Sequence, residues 1–132
     1  MGRWRERGQS AVELALGLLV LLLVLMGCLD LGRAFSAWMS VGSASREGAR
    51  YASTHPSSAD LAGIKSRVRQ RAASAGITLQ DNQINVSGLG GAAGEPVTVT
   101  VSFPLPLVSG FLLGGHTVTV HASTVMAIVS GG

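Results

Sequence analysis

Residues 14–29 (LALGLLVLLLVLMGCL) carry no charge over 16 positions, nine of them leucine. Either a lipid bilayer or the channel that receives signal peptides accounts for such a run. As a helix, 16 residues span roughly 24 Å, and extension to residues 11–31 approaches the ~30 Å hydrocarbon core. Glu13 and Asp30 then stand at or near the two boundaries. Only 13% of the 132 residues are charged, where a soluble domain carries about 25%. Arg3, Arg5 and Arg7 precede the run, so the positive-inside bias predicts a cytoplasmic N-terminus and an outside remainder.

The net charge of +3 does not make the chain a nucleic-acid binder. Arg3, Arg5 and Arg7 crowd the N-terminus and Lys65, Arg67, Arg69 and Arg71 form the only other basic cluster; after residue 71 the only charges are Asp81 and Glu95. A phosphate-tracking face needs a sustained basic surface with stacking aromatics. Of the six aromatic residues only Trp4 stands within a basic cluster, and none lies in the second. One cysteine excludes an internal disulfide.

Glu13 decides what the apolar run means. A secretory signal has basic residues followed by an uninterrupted apolar core and a small-residue cleavage site, but here a carboxylate opens the stretch. An ionisable group at membrane depth costs about 2.5–3.5 kcal/mol on insertion scales and implies a partner. Plain solvation in the headgroup region is the alternative.

The context RERGQSAVEL resembles the processing signal of the type IV pilin superfamily. In that superfamily a basic leader ends in glycine, cleavage follows it, and a glutamate stands fifth in the mature chain ahead of a long apolar helix. The layout, with the later EGARYA segment, looks most like the TadE-like minor pilins and pseudopilins of tight-adherence (Tad/Flp) pili. The resemblance implies a leader at residues 1–8, cleavage after Gly8 by a prepilin peptidase, Gln9 as the new N-terminus, and Glu13 as its assembly partner. Many type IV pilins have an aromatic first residue where this chain has Gln9. Removing the leader takes away three arginines and Glu6, so net charge falls from +3 to +1. The new α-amino group, with a reference pKa of about 7.7–8.0, lies one helical turn from Glu13. In low dielectric the two attract, and loss of either leaves the other unpaired.

The implied partners are membrane lipid, the peptidase, other pilins and the Tad assembly machinery. The implied location is the bacterial inner (cytoplasmic) membrane, single-pass, with the head outside or in a pilus. Two rival roles are kept. Residues 25–28 (LMGC) resemble a bacterial lipobox, which would make the chain a lipoprotein anchored at Cys28. Against this, methionine is unusual there, Glu13 interrupts the signal, and helical patterning continues through Cys28. An unprocessed single-pass anchor displaying a binding domain is the second rival.

The helix is expected to continue past the membrane. Leu31, Phe35, Trp38, Gly42, Ser45, Ala49 and Ala52 recur at alternating steps of four and three, with Arg33, Ser36, Ser40, Ser43 and Glu47 opposite. Pro56 ends it near Thr54 or His55. The helix from Gln9 to Thr54 would then be 46 residues, about 70 Å. A second helix is predicted from Ser57 or Ser58 to Ala75, with a serine N-cap, a stripe of Leu61, Ile64, Val68, Ala72 and Ala75, and Gly76 as stop. Its basic residues divide, Lys65 and Arg69 on one flank, Arg67 and Arg71 on the other. Solvation is the ordinary expectation there, with anionic headgroups the functional alternative.

The rest has β patterning: residues 84–87, a turn-rich connector at 88–96, alternating residues 97–103 ended by Pro104 and Pro106, and residues 116–129 after the Gly114-Gly115 turn. The expected fold is α+β: a long transmembrane and assembly helix, a second amphipathic helix and a small antiparallel sheet, the head occupying residues 57–132.

Other motifs fail on context. Gly88, Gly90 and Ala93 match a loose dinucleotide pattern, but a strand follows where a helix is required. His116 and His121 are five apart on a predicted strand and face opposite sides. Asn85 begins a glycosylation sequon by pattern only. No nucleophile–base–acid set or P-loop is present. The sequence therefore predicts no enzyme, cofactor, metal or small-molecule substrate.

Overall fold

The computed structural model of the protein describes residues 3–129 of 132. Residues 1–2 of the expected leader and 130–132 of the expected head lie outside the described residues, as do the side chains of residues 3–7, 112 and 113. The architecture is α+β, as expected: one long helix, a second helix and a three-stranded antiparallel sheet in the order β1-β2-β3.

Helix α1 runs from Arg3 to Thr54, 52 residues, or about 78 Å at the usual rise. It stops before Pro56, which cannot supply the next backbone donor. Ser57 then caps a 3-10 turn, Ser58–Asp60, its hydroxyl accepting the Ala59 N–H. Helix α2 proper is Leu61–Ala73, shorter at both ends than the predicted span. Its exit follows the predicted stop: Gly76 takes φ +78°, and the Ile77 N–H reaches back to the Ala72 carbonyl at 3.0 Å.

Strands β1 (Ile84–Ser87), β2 (Pro96–Pro106) and β3 (Thr117–Ala127) carry the alternation read from the sequence. Val97, Val99 and Val101 of β2 are fully buried, beside Ile84 and Val120. Thr100 and Ser102 turn to the open face, where Thr100 Oγ1 meets Ser123 Oγ at 3.1 Å and Ser102 Oγ meets His121 Nδ1 at 3.0 Å. The buried face packs on α1, with Ile64, Val68 and Ala72 of α2 completing the core. Ser45 is the polar group inside it. Its Oγ donates to the Val99 carbonyl at 2.8 Å and lies 2.9 Å from Thr124 Oγ1, which offsets the cost of burying a hydroxyl.

Two expectations are corrected. The lower contact stripe of α1 faces elsewhere than predicted. The head seats on Ala37, Val41, Ala44, Ser45, Ala49 and Ala52, whereas Leu31, Phe35 and Trp38 remain 73%, 60% and 55% exposed. A repeat averaging 3.5 residues drifts by about 20° per heptad on a straight helix, so the upper members of the stripe meet the head while the lower members turn away. Glu47, expected on the opposite face, is half-buried.

Strand β2 does not stop before Pro104 but runs through it to Pro106, and the two prolines pair with Thr119 and Thr117 of β3. The Leu107 N–H donates to the His116 carbonyl, so odd-numbered backbone groups of β2 point at β3 and even-numbered ones point away. Both prolines thus direct their missing donors to the side where β1 reaches only as far as Val101, and no ladder bond is lost. Strand β3 is also shorter than the predicted 116–129. His116 lies in the loop before it, and a short helix α3 (Gly110–Leu113) occupies the preceding segment.

Candidate processing and assembly surface

The proposed processing residues lie on uninterrupted helix. Gly8, Gln9 and Glu13 are exposed on α1, and the helix passes through the 8/9 junction without a break. Arg3, Arg5 and Arg7 belong to its first turns. Four residues separate Gln9 from Glu13, which places both on one face about 6 Å apart along the axis. Gly17 continues that face one turn further, and a side chain there would meet nothing within 4 Å. The result is an open notch beside Ser10, Glu13, Leu14, Leu18 and Leu21, of the small-residue kind at which helices pack closely in membranes.

The large apolar residues from Val12 to Leu25, Met26 apart, are 46–66% exposed. An apolar helix of a soluble core would bury such side chains, and monomers rarely expose a patch of this extent. The segment needs an apolar phase that the rest of the chain does not provide. Cys28 is exposed within the same continuous helix.

Asp30 was placed by sequence at the membrane boundary, but the structure gives it a second task. It is 6% exposed, and its two carboxylate oxygens accept the backbone N–H groups of Val108 at 2.6 Å and Ser109 at 2.8 Å. Arg33 stands 3.9 Å away. One acid on α1 thus fastens the loop leading into α3. No local signal announces a contact across 78 residues; the only hint is an acid directly after a charge-free run.

Asp30→Ala should leave both N–H groups without an acceptor. At about 1–3 kcal/mol for a lost charged partner, local opening of the loop should rise about tenfold or more. Chymotryptic cleavage at Phe111 in the full chain would report it, and an unchanged cleavage rate would show that Asp30 does not hold the loop.

The split basic cluster resolves into two environments. Arg69 pairs with Asp81 at 2.8 Å, and Lys65 donates to the Asp81 carbonyl at 3.1 Å. Across the helix, Arg67 lies over the Tyr51 ring, 5.3 Å from its centre. Arg71 Nε donates to Ser43 Oγ at 3.0 Å. There α2 faces Arg46 and Arg50 of α1 across an open groove of about 580 Å³, which Glu47 and Met126 also line. Sequence reasoning missed this convergence, because Arg46 and Arg50 become neighbours of Arg67 and Arg71 only once the helices pack.

His121 bonds Ser102 on the open sheet face. Gly88 and Gly90 adopt positive φ in the connector between β1 and β2, the turn role expected of them. At Gly88 a Cβ would meet the Pro96 carbonyl oxygen at 2.3 Å, so a side chain is excluded. Among the described residues, no group of three or more His, Cys, Asp or Glu side chains could hold a metal ion.

Residues 8–50 match the family model described as TadE-like protein. The matched segment lies wholly on α1, beginning at Gly8 and ending at Arg50, and is consistent with a TadE-like protein of Tad pilus systems. No curated protein and no solved structure matches the chain. One long apolar N-terminal helix together with this family match fits a single-pass membrane protein.

Proposed function

We propose that the chain is a minor pilin or pseudopilin precursor with a structural, non-catalytic role in assembling Tad/Flp pili, and through them in adhesion and surface colonisation. The observation that carries this is the TadE-like match starting at Gly8 and following the exposed apolar helix. Prepilin peptidase removes residues 1–8 on the cytoplasmic side of the inner membrane. The helix from Gln9 then serves two apolar environments in turn, lipid before assembly and neighbouring pilin helices after it. Glu13 meets the new amine of its own or an adjacent chain, and the exposed Gly17 notch lets that helix come near. Other pilins and the Tad machinery are the partners.

A lipoprotein anchored at Cys28 would discard residues 8–27, nearly half of the matched segment. The match therefore favours processing at Gly8. Intact mass of the protein from its native host tests this. The expected species begins at Gln9; a chain retaining residues 1–8, or one starting at Cys28 with added acyl mass, overturns it.

A further inference from the structure

Resting on the reading of α1 as a membrane-spanning helix, we infer that the turn at residues 108–113 is a second membrane contact. Phe111 seats at the outer headgroup boundary and holds the head against the bilayer beside α1.

Three independent features converge on this turn. The first is its height. The apolar run ends at Leu29, and Asp30 on the next position binds the Val108 and Ser109 N–H groups directly. Helical side chains lean toward the N-terminus, so the Asp30 carboxylate sits on the membrane side of that residue's own backbone, and the loop N–H groups lie within 2.8 Å of it. The second is composition. Phe111 is 92% exposed, the highest value among the exposed large hydrophobic residues described, and Val108 is 37% exposed. No Asp, Glu, Lys or Arg occurs anywhere from residue 96 onward.

The third feature is backbone satisfaction, which decides whether a loop can leave water. Leu107 donates to His116 O, Val108 and Ser109 to Asp30, Gly110 to Leu107 O and Phe111 to Val108 O. Every donor from 107 to 111 has an acceptor. An irregular segment with free N–H groups would lose several kcal/mol per group on approaching hydrocarbon, a cost that the backbone N–H groups of residues 107–111 avoid. Gly110 permits the tight fold, since a Cβ there would meet His116 N and O at 3.0 Å.

The neighbouring surface of α1 suits the same boundary. Leu31 and Phe35 lie within about 8 Å of Asp30 along the axis, inside the interfacial layer of roughly 5–8 Å per leaflet. Both are exposed, and Arg33, on the opposite side of the helix and half-exposed, is placed to reach lipid phosphates there. Two apolar contacts, one on the helix and one on the loop, fix the rotation of α1 and the head packed on it about the helix axis. A lone spanning helix would leave that rotation free. On extraction into a pilus the same patch would be freed to meet another subunit.

The test places tryptophan at position 111 in the full chain, with Trp4→Phe and Trp38→Phe removing the native indoles. Phe111→Trp lies in an exposed site and disturbs no packing. The protein is reconstituted in vesicles of phosphatidylethanolamine and phosphatidylglycerol, with part of the lipid brominated either near the headgroup or near the bilayer centre. A parallel Leu22→Trp variant in the same background reports on the helix. The expected result is blue-shifted Phe111→Trp emission that loses most of its intensity with shallow bromine and little with deep bromine, while Leu22→Trp is quenched by deep bromine. Unquenched Phe111→Trp beside quenched Leu22→Trp overturns the second contact, including when the emission is blue-shifted, since burial against protein would do that. If neither is quenched, the membrane-spanning reading itself fails.

Discussion

Gly48→Val should unseat the head from α1. Gly48 lies where α1, α2 and β2 meet, and a Cβ there would stand 2.4 Å from Val68 Cγ2 and 3.2 Å from Val99 Cγ1. Both valines are fully buried, so neither has room to move. Overpacking a close-packed core costs about 1–3 kcal/mol and at times more. For Gly48→Ala, the gain of about 1 kcal/mol in helix propensity offsets part of that. Valine adds two further methyl groups and gains less propensity, so its net cost should reach at least about 3 kcal/mol.

That loss is large against the ~3–5 kcal/mol available to a core of this size. Thermal unfolding of the full chain in detergent, followed by proteolysis of residues beyond Thr54, should show alanine mildly and valine severely destabilised. Gly32→Ala is the control, because a side chain there meets nothing within 4 Å. Equal stability of Gly48→Val and the parent would mean that the helix–sheet contact is looser than the geometry allows.

Glu13→Ala should leave membrane insertion intact and abolish pilus incorporation. Insertion depends on the apolar run, and removing a carboxylate from its edge only favours it. Assembly is different, because the carboxylate is the proposed partner of the Gln9 amine once helices pack away from water. Breaking a buried pair by removing one member costs about 3–5 kcal/mol. Incorporation should therefore fall by about two to three and a half orders of magnitude. Glu13→Gln keeps the size and loses the charge, so it should fail equally if pairing is the mechanism. Quantifying the protein in membrane and sheared-pilus fractions separates the two steps. Normal incorporation of Glu13→Ala would sink charge pairing, whereas loss from the membrane fraction would reassign Glu13 to insertion.

Much of the architecture was legible because it is written in local pattern. The apolar run, Pro56, Gly76 and the alternation of Val97, Val99 and Val101 each act within a few residues, and the corresponding elements formed where expected. The phase of the α1 contact face was harder. Leu31, Phe35 and Trp38 are its largest apolar groups, and hydrophobicity alone assigns them inward. The sheet instead sits close to the backbone, on Ala37, Val41, Ala44 and Gly48, since small side chains allow the nearer approach. The prolines of β2 were misleading for a related reason. Whether a missing N–H matters depends on which neighbour it would have faced, and strand order decides that.

The processing segment and the head contrast most sharply. In the sequence by itself, Gly8, Gln9 and Glu13 are marked as candidates by the resemblance of the RERGQSAVEL segment to a type IV pilin processing signal, while the apolar helix and the α+β class follow from local pattern. Only the tertiary structure decided that Asp30 is the fastening of a distant loop, that four arginines share one groove, and that Phe111 is left exposed at the end of the apolar run. Helical spacing and strand alternation are short-range properties of the chain. Contacts such as Asp30 with Val108 depend on where packing brings two remote segments, which no local period encodes.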